Sequence, residues 1–176
     1  AYDIRNEKEP EKDVYVSDNI EENLSYIKKR FSYPLNNDIV IRELKLKNER
    51  KAFLIFIDGM VNTDNVDGYI IETLLKLPYF TDGEIYKYED EINERFVAHS
   101  QAMTSESMNI TAEEINFGSC ALFVDGFKKA FILDVREWGH RSINKPENEQ
   151  SIYGPQEAFA EMLRNNSALI RKIIKT

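Results

Sequence analysis

The chain has 176 residues, a formal net charge of −8, 42% hydrophobic and 31% charged residues, with one Trp, nine Tyr and ten Phe. That length and aromatic content exclude a disordered chain and supply a core that folds without staples. One Cys excludes a disulfide framework or a Cys-cluster metal site, and 31 acids against 23 Lys plus Arg argue against nucleic acid as a partner, since a phosphate binder needs a basic face.

Residues 1–16 are polar and acidic and read as a flexible arm. From Ser17 the pattern turns helical, with Ile20, Leu24, Ile27 and Phe31 in one stripe. Asp18, with Glu21 three residues later, predicts the helix start, and Pro34 predicts its end. Residues 38–47 alternate as a half-buried strand through Ile39, Ile41, Leu44 and Leu46, with a slip at Glu43 that suggests a bulge. The polar turn 48–51 leads into the apolar run Ala52 to Ile57, and the two strands read as a hairpin ending at Asp58 and Gly59. Asp64 opens a second predicted helix with Ile70, Ile71, Leu74, Leu75 and Leu77 on its face and Pro78 past its end.

Residues 81–91 read as a linker, and 94–103 fit a strand or a helix equally well. Residues 104–110 read as a loop, and Thr111 with Glu114 as a capping box opening a helix to about Gly118. The apolar runs 120–124 and 129–135 flank the turn Asp125-Gly126-Phe127-Lys128, a second hairpin. IFIDGM at 55–60 echoes LFVDGF at 122–127, which raises the prospect of two related units. Residues 156–175 read as a helix opened by Pro155 and basic at its end through Arg164, Arg171, Lys172 and Lys175. The expected fold is α/β, or α+β by strict labels. Two small subdomains, 17–80 and 92–138, would each be a short mixed sheet packed by helices, followed by a C-terminal helical segment at 139–176.

Few residues offer chemistry. His99 and His140 are 41 positions apart and make no ligand spacing. Cys120 opens an apolar run and reads as a core residue, and GSC at 118–120 lacks the second glycine of a nucleophile elbow. No phosphate-cradling glycine loop is present. A calcium loop registered on Gly68 would need Thr63 and Leu74 as ligands and lacks its terminal Glu, so 58–72 reads as a helix start. Asp58 and Asp125 end matching strands, where an Asp-Gly pair usually turns the chain. No catalytic, cofactor-binding or metal-ligating residue is assigned. The longest unbroken apolar run is Ala52 to Ile57, six residues, where a membrane helix needs about 20. The chain opens on Ala1 and closes inside a helical pattern, so a piece of a longer protein is expected.

The tail, RSINKPENEQSIYGPQEAFAEMLRNNSALIRKIIK at 141–175, resembles the signature of the A subunit of bacterial spore germinant receptors, the GerA family. The resemblance rests on Arg141, Pro146, Gly154, Pro155, Glu157, Phe159, Glu161, Leu163, Asn166, Leu169, Ile170 and Arg171. Tyr153 and Ile173 depart from it, standing where relatives usually carry Arg. The resemblance implies a non-enzymatic soluble domain on the cytosolic, spore-core side of the spore inner membrane. Its partners would be B and C subunits, with membrane helices beyond Thr176 and roles in receptor assembly and nutrient signal transduction. A homo-oligomer is left open. So is direct binding of a small-molecule germinant in a cleft between the subdomains, lined by Asp58, Gly59, Asp125 and Gly126, and so is an enzyme using Asp58 or Asp125. The signature helix serves either docking onto the α/β body or contact with a partner.

Overall fold

The computed structural model describes residues 13–47, 49–97, 102–135 and 170. Five strands form one antiparallel sheet in the order β1-β2-β4-β5-β3: β1 (Ile39–Lys45), β2 (Lys51–Ile57), β3 (Ala102–Ser105), β4 (Cys120–Val124) and β5 (Ala130–Leu133). Helices cover both faces, giving three layers of mixed α and β structure, as the α+β reading anticipates. The sheet is not divided, however. The two expected hairpins are both present, and β2 pairs with β4 from Ala52↔Val124 to Ile55↔Ala121, so the regions 17–80 and 92–138 share one sheet rather than each building its own. The reason lies in β2 itself. Every residue from Ala52 to Ile57 is buried, so the strand needs a neighbour on each edge and a helical layer on each face.

On one face, α1 (Ile20–Arg30) and α5 (Met108–Asn116) pack Ile20, Leu24, Ile27, Met108, Ala112 and Ile115 against Phe53, Ile55, Ile57, Ala121, Phe123 and Ala130. The α1 stripe is the predicted one. Its cap is Asn19 rather than Asp18, with the Asn19 side chain accepting from the Glu21 N–H at 2.9 Å. Acids in the first turn and Lys28, Lys29 and Arg30 in the last match the helix dipole. Buried Asn23 locks the approach to this helix, accepting from the Ser17 N–H at 2.8 Å and donating to the Ser17 carbonyl at 2.6 Å. The end of the supposed flexible arm is ordered. Val16 N–H donates to the Glu106 carbonyl, Met108 N–H to the Val14 carbonyl, and Tyr15 bridges Ser107.

On the other face lies a helical run of α2 (Thr63–Asn65), a π-helix (Val66–Ile71) and α3 (Glu72–Leu75), followed by α4 (Ile85–Val97). Val66, Ile70, Leu74, Tyr88, Ile92 and Phe96 bury themselves on Leu54, Phe56, Leu122, Phe131 and Leu133. The helix read from Asp64 is therefore present, with Asn62 as its cap. Residues 81–91 are not an open linker. They hold a 3-10 turn at Asp82–Glu84, a Thr81/Glu84 capping box and the first half of α4.

Three further local readings change. β1 runs without a bulge, in unbroken register from Ile39↔Ile57 to Lys45↔Lys51. The slip at Glu43 marks a change of face, since Ile39 and Ile41 pack with α1 while Val40, Leu44 and Leu46 pack on the opposite layer. Of residues 94–103, 94–97 end α4 and 102–103 open β3, and 98–101 lie outside the described residues. Helix α5 starts at Met108, three residues before Thr111, because Ser107 caps it by accepting from the Ile110 N–H, while Thr111 donates its hydroxyl back to the Ser107 carbonyl at 2.8 Å.

Phe53 and Phe123 stack across β2 and β4 with centroids 4.7 Å apart and both rings buried. Phe53→Ala is expected to lower stability by about 3–5 kcal/mol. Denaturant unfolding followed by far-UV circular dichroism and by fluorescence of probes in each hairpin should give one shared transition. Two separate transitions would mean that the two hairpins fold independently.

Candidate functional site

The two Asp-Gly turns lie at opposite ends of the sheet. Antiparallel neighbours send their C-terminal ends in opposite directions, so Asp125 lies beside Lys51, its N–H donating to the Lys51 carbonyl at 2.9 Å. Asp58 lies beyond the far end of the same strand, its N–H donating to the Asp38 carbonyl at 2.8 Å. At about 3.3 Å per residue the length of β2 holds the turns roughly 23 Å apart. Asp58, Gly59, Asp125 and Gly126 therefore do not line one cleft. The echo between the two strands misleads because it records shared turn chemistry and carries no information on relative direction.

Asp125 and Gly126 instead make a junction. Asp125 Oδ1 accepts from the Ile20 N–H at 3.2 Å, satisfying one of the free donors at the start of α1. The Gly126 N–H donates to the Asp18 carbonyl at 2.8 Å, and Arg50 Nη1 donates to the Asp125 carbonyl at 2.7 Å. Gly126 has φ +89°, and a Cβ there would sit 2.7 Å from both Arg50 Nη1 and Ile85 Cδ1. Three loops and the start of α4 thus meet at one turn. Arg50 had no signal in the sequence beyond a place in a polar turn. At the other end, Gly59 has φ +82° and turns the chain out of β2 toward α2.

Between α1 and the tip of the β1–β2 hairpin lies a half-open groove of about 300 Å³. Ile20, Leu24, Ala52 and Phe53 contribute apolar walls, and Glu21, Glu43, Lys45 and Lys51 bring charge. Lys51 hydrogen-bonds Glu21 at 2.5 Å, and that bond together with the lysine's charge holds the Glu21 carboxyl below the usual range.

The remaining candidates are quickly placed. Cys120 is fully buried, and burial pushes its thiol well up from the ordinary value. Ser119 is buried and donates to Glu114 Oε2 at 3.3 Å. In the stretch tested as a calcium loop, Gly68 sits in the π-helix, Asp67 is ion-paired with Arg42, and the Tyr69 hydroxyl donates to the Arg95 carbonyl at 2.7 Å. Among the described residues no group of three or more His, Cys, Asp and Glu is arranged to hold a metal ion, and no helix is long and apolar enough to cross a membrane. His99, His140 and the signature positions Arg141, Pro146, Gly154, Pro155, Glu157, Phe159, Glu161, Leu163, Asn166, Leu169 and Arg171 lie outside the described residues. Ile170 is described as helical and exposed.

Two expectations follow from this geometry. Asp125→Ala leaves the start of α1 without its acceptor and should cost about 1–2 kcal/mol in chemical denaturation, as cap losses do. Gly126→Ala should cost more, because it adds positive-φ strain to the clash with Arg50 and Ile85; an Ala variant as stable as the parent would contradict the junction. Separately, Cys120 should resist thiol reagents at pH 8 in the native chain and react only as the chain unfolds, and rapid native labelling would contradict its burial.

Comparison with known proteins places this geometry. A family model described as Bacillus/Clostridium GerA spore germination protein matches residues 25–176. An uncharacterized membrane protein of Bacillus subtilis, YfkQ, is 31% identical over 176 residues, covering all of this chain and 33% of the relative. Spore germination protein A1 of Bacillus subtilis is 30% identical over 159 residues, covering 90% of this chain and 30% of the relative. The crystal structure of the N-terminal domain of the A subunit of the Bacillus megaterium spore germinant receptor GerK3 shares the fold, with a TM-score of 0.67 at 24% identity, over 94% of this chain and 58% of that one. The chain spans about a third of the length of the curated relatives it matches. With the family's pattern running from within α1 to the last residue, the chain belongs to the Bacillus/Clostridium GerA spore germination protein family.

Proposed function

We propose that this chain is the N-terminal domain of a spore germinant receptor A subunit, acting in receptor assembly and in passing the nutrient signal to the membrane part. The observation that carries this reading is the family match over residues 25–176, joined to a fold shared with the GerK3 A-subunit domain. In this reading the domain lies on the cytosolic, spore-core side of the inner membrane and works with B and C subunits. Its role is non-enzymatic. The engaged carboxylate of Asp125 supports that, since it caps α1 and is held in a junction. The separation of the two Asp-Gly turns favours assembly and coupling over a ligand cleft built from them. The signature segment from Arg141 to Arg171 then supplies contact with the rest of the receptor.

The test uses the full-length A subunit in spores. Asn166→Ala and Arg171→Glu, singly and together, are expected to slow nutrient-triggered germination about tenfold or more, within the typical range of allosteric effects. The unfolding midpoint of the purified chain should stay unchanged, and immunoblots should show reduced B and C subunits in the spore membrane if assembly is the step affected. Normal germination by the double variant would sink the reading.

A further inference from the structure

Among the described residues one edge of the sheet is open. β1 is outermost and pairs with β2 over seven residues without interruption, whereas the opposite edge strand, β3, has four. The phase of the β1–β2 ladder is readable from its ends. Asp58 N–H donates to the Asp38 carbonyl at 2.8 Å, and Leu46 N–H donates to the Arg50 carbonyl at 2.9 Å. Alternate residues face the partner in an antiparallel ladder, so positions 38, 40, 42, 44 and 46 direct their backbone groups to β2. The N–H and C=O groups of Ile41, Glu43 and Lys45 point outward, and no backbone partner meets them among the described residues. The Ile39 N–H is taken by the Asn36 carbonyl at 3.3 Å. Natural edges of this length are blunted by a proline, a bulge, a cover or charged side chains; β1 has neither proline nor bulge, and its only such device is the charge of Arg42, Glu43 and Lys45.

We propose that β1 is a docking edge for an extended segment of a different protein chain, which adds antiparallel as a sixth strand. Main-chain pairing would supply affinity, and the side chains of β1 set what fits. Read from its own N-terminus opposite Lys45, Leu44, Glu43, Arg42 and Ile41, the matching segment runs acid, apolar, base, acid, apolar. Among the described residues the charges of β1 meet surface pairs, Arg42 with Asp67, Glu43 with Lys28 at 3.6 Å and Lys45 with Glu49 at 2.8 Å, and Arg42 also lies over the Phe56 ring at 5.8 Å. Exposed pairs are worth about 0–1 kcal/mol, so trading them for cross-strand partners costs little. The groove between α1 and the hairpin tip opens beside the same half of the strand, where Glu43, Leu44 and Lys45 line it.

A second copy of this chain fits less well. Outward residues must pair with outward residues, and the register that uses all seven positions sets Arg42 against its own copy at the closest spacing in the ladder. The symmetric register on one side sets Glu43 against itself. The one on the other side sets Ile41 against itself, keeps only five pairs and leaves Leu44 and Lys45 out.

The proposal rests on the receptor reading only for the choice of complex. Hydrogen exchange of the peptide spanning 39–47 is measured in the isolated chain and in the full-length A subunit purified with its B and C subunits. Exchange at the amides of 41, 43 and 45 is expected to slow about tenfold or more in the complex. Glu43→Pro removes one outward donor and leaves the β2 ladder intact, while Glu43→Ala keeps that donor. Both variants should fold, and only the proline variant should lose the protection. Equal exchange in chain and complex, or equal behaviour of the two variants, overturns the proposal and leaves the receptor reading standing. Protection in the isolated chain together with a doubled mass would make a second copy the occupant and overturn it too. If no complex is recovered from wild-type membranes, the receptor reading fails. The edge is then judged with the synthetic peptide Glu-Val-Lys-Glu-Val, and absence of protection at millimolar peptide overturns it.

Discussion

The pairing of β2 with β4 is the constraint on which the rest depends. From Ala52 to Ile57 β2 is apolar on both faces, and its two edges carry backbone groups that need partners, so it must lie inside a sheet that is itself covered twice. β4, buried at all five positions, has the same need. Each strand satisfies it with its own hairpin partner on one side and with the other strand on the second. Once they pair, two sequence-distant hairpins become one plate, and the Phe53–Phe123 stack is the side-chain expression of that seam. The antiparallel sense of the pair then sends the two Asp-Gly turns to opposite ends.

The layers on the plate differ in kind. On one face the small Ala121 and Ala130, beside the Phe53–Phe123 stack, leave room for α1 and α5. Aromatics fill the other, where Phe80 meets Tyr88 edge-on at 4.7 Å and Phe127 meets Phe131 at 5.7 Å. The Asp125–Gly126 junction ties the two layers together at one end, since it caps α1 while lying against Ile85 of α4. The two edges are unequal, with β1 long and regular and β3 short, so the domain presents distinct sides to its neighbours.

Much of this was legible in the residues. The stripe of α1, both hairpins and the helix following Asn62 are strong periodic signals in which local pattern and tertiary burial agree. What was missed has physical causes. Tyr88, Ile92 and Phe96 stand four apart and mark the buried face of α4, but the acids between them and the exposed Tyr79 and Tyr86 before them dilute the stripe into the appearance of a linker. The caps moved by a residue or more because Asp18, Asn19, Ser107 and Thr111 are all competent, and only the incoming chain direction chooses among them. In β1, a strand apolar on both faces looks like a broken alternation when one face is assumed.

The sequence by itself determined the family, the alternation of strand and helix, and which residues are too apolar to be left in water. Those are local properties: side-chain chemistry, spacing and turn preference act within a few residues. Only the tertiary structure decided that the two hairpins share one sheet, that the Asp-Gly turns lie apart, that Asp125 is a helix cap, and that the backbone of Ile41, Glu43 and Lys45 faces outward. Each of these depends on the relative direction and phase of strands far apart in the chain. Burial demand specifies that such strands must find neighbours, but their direction and register are set by the fit of whole layers, which no short stretch of sequence encodes.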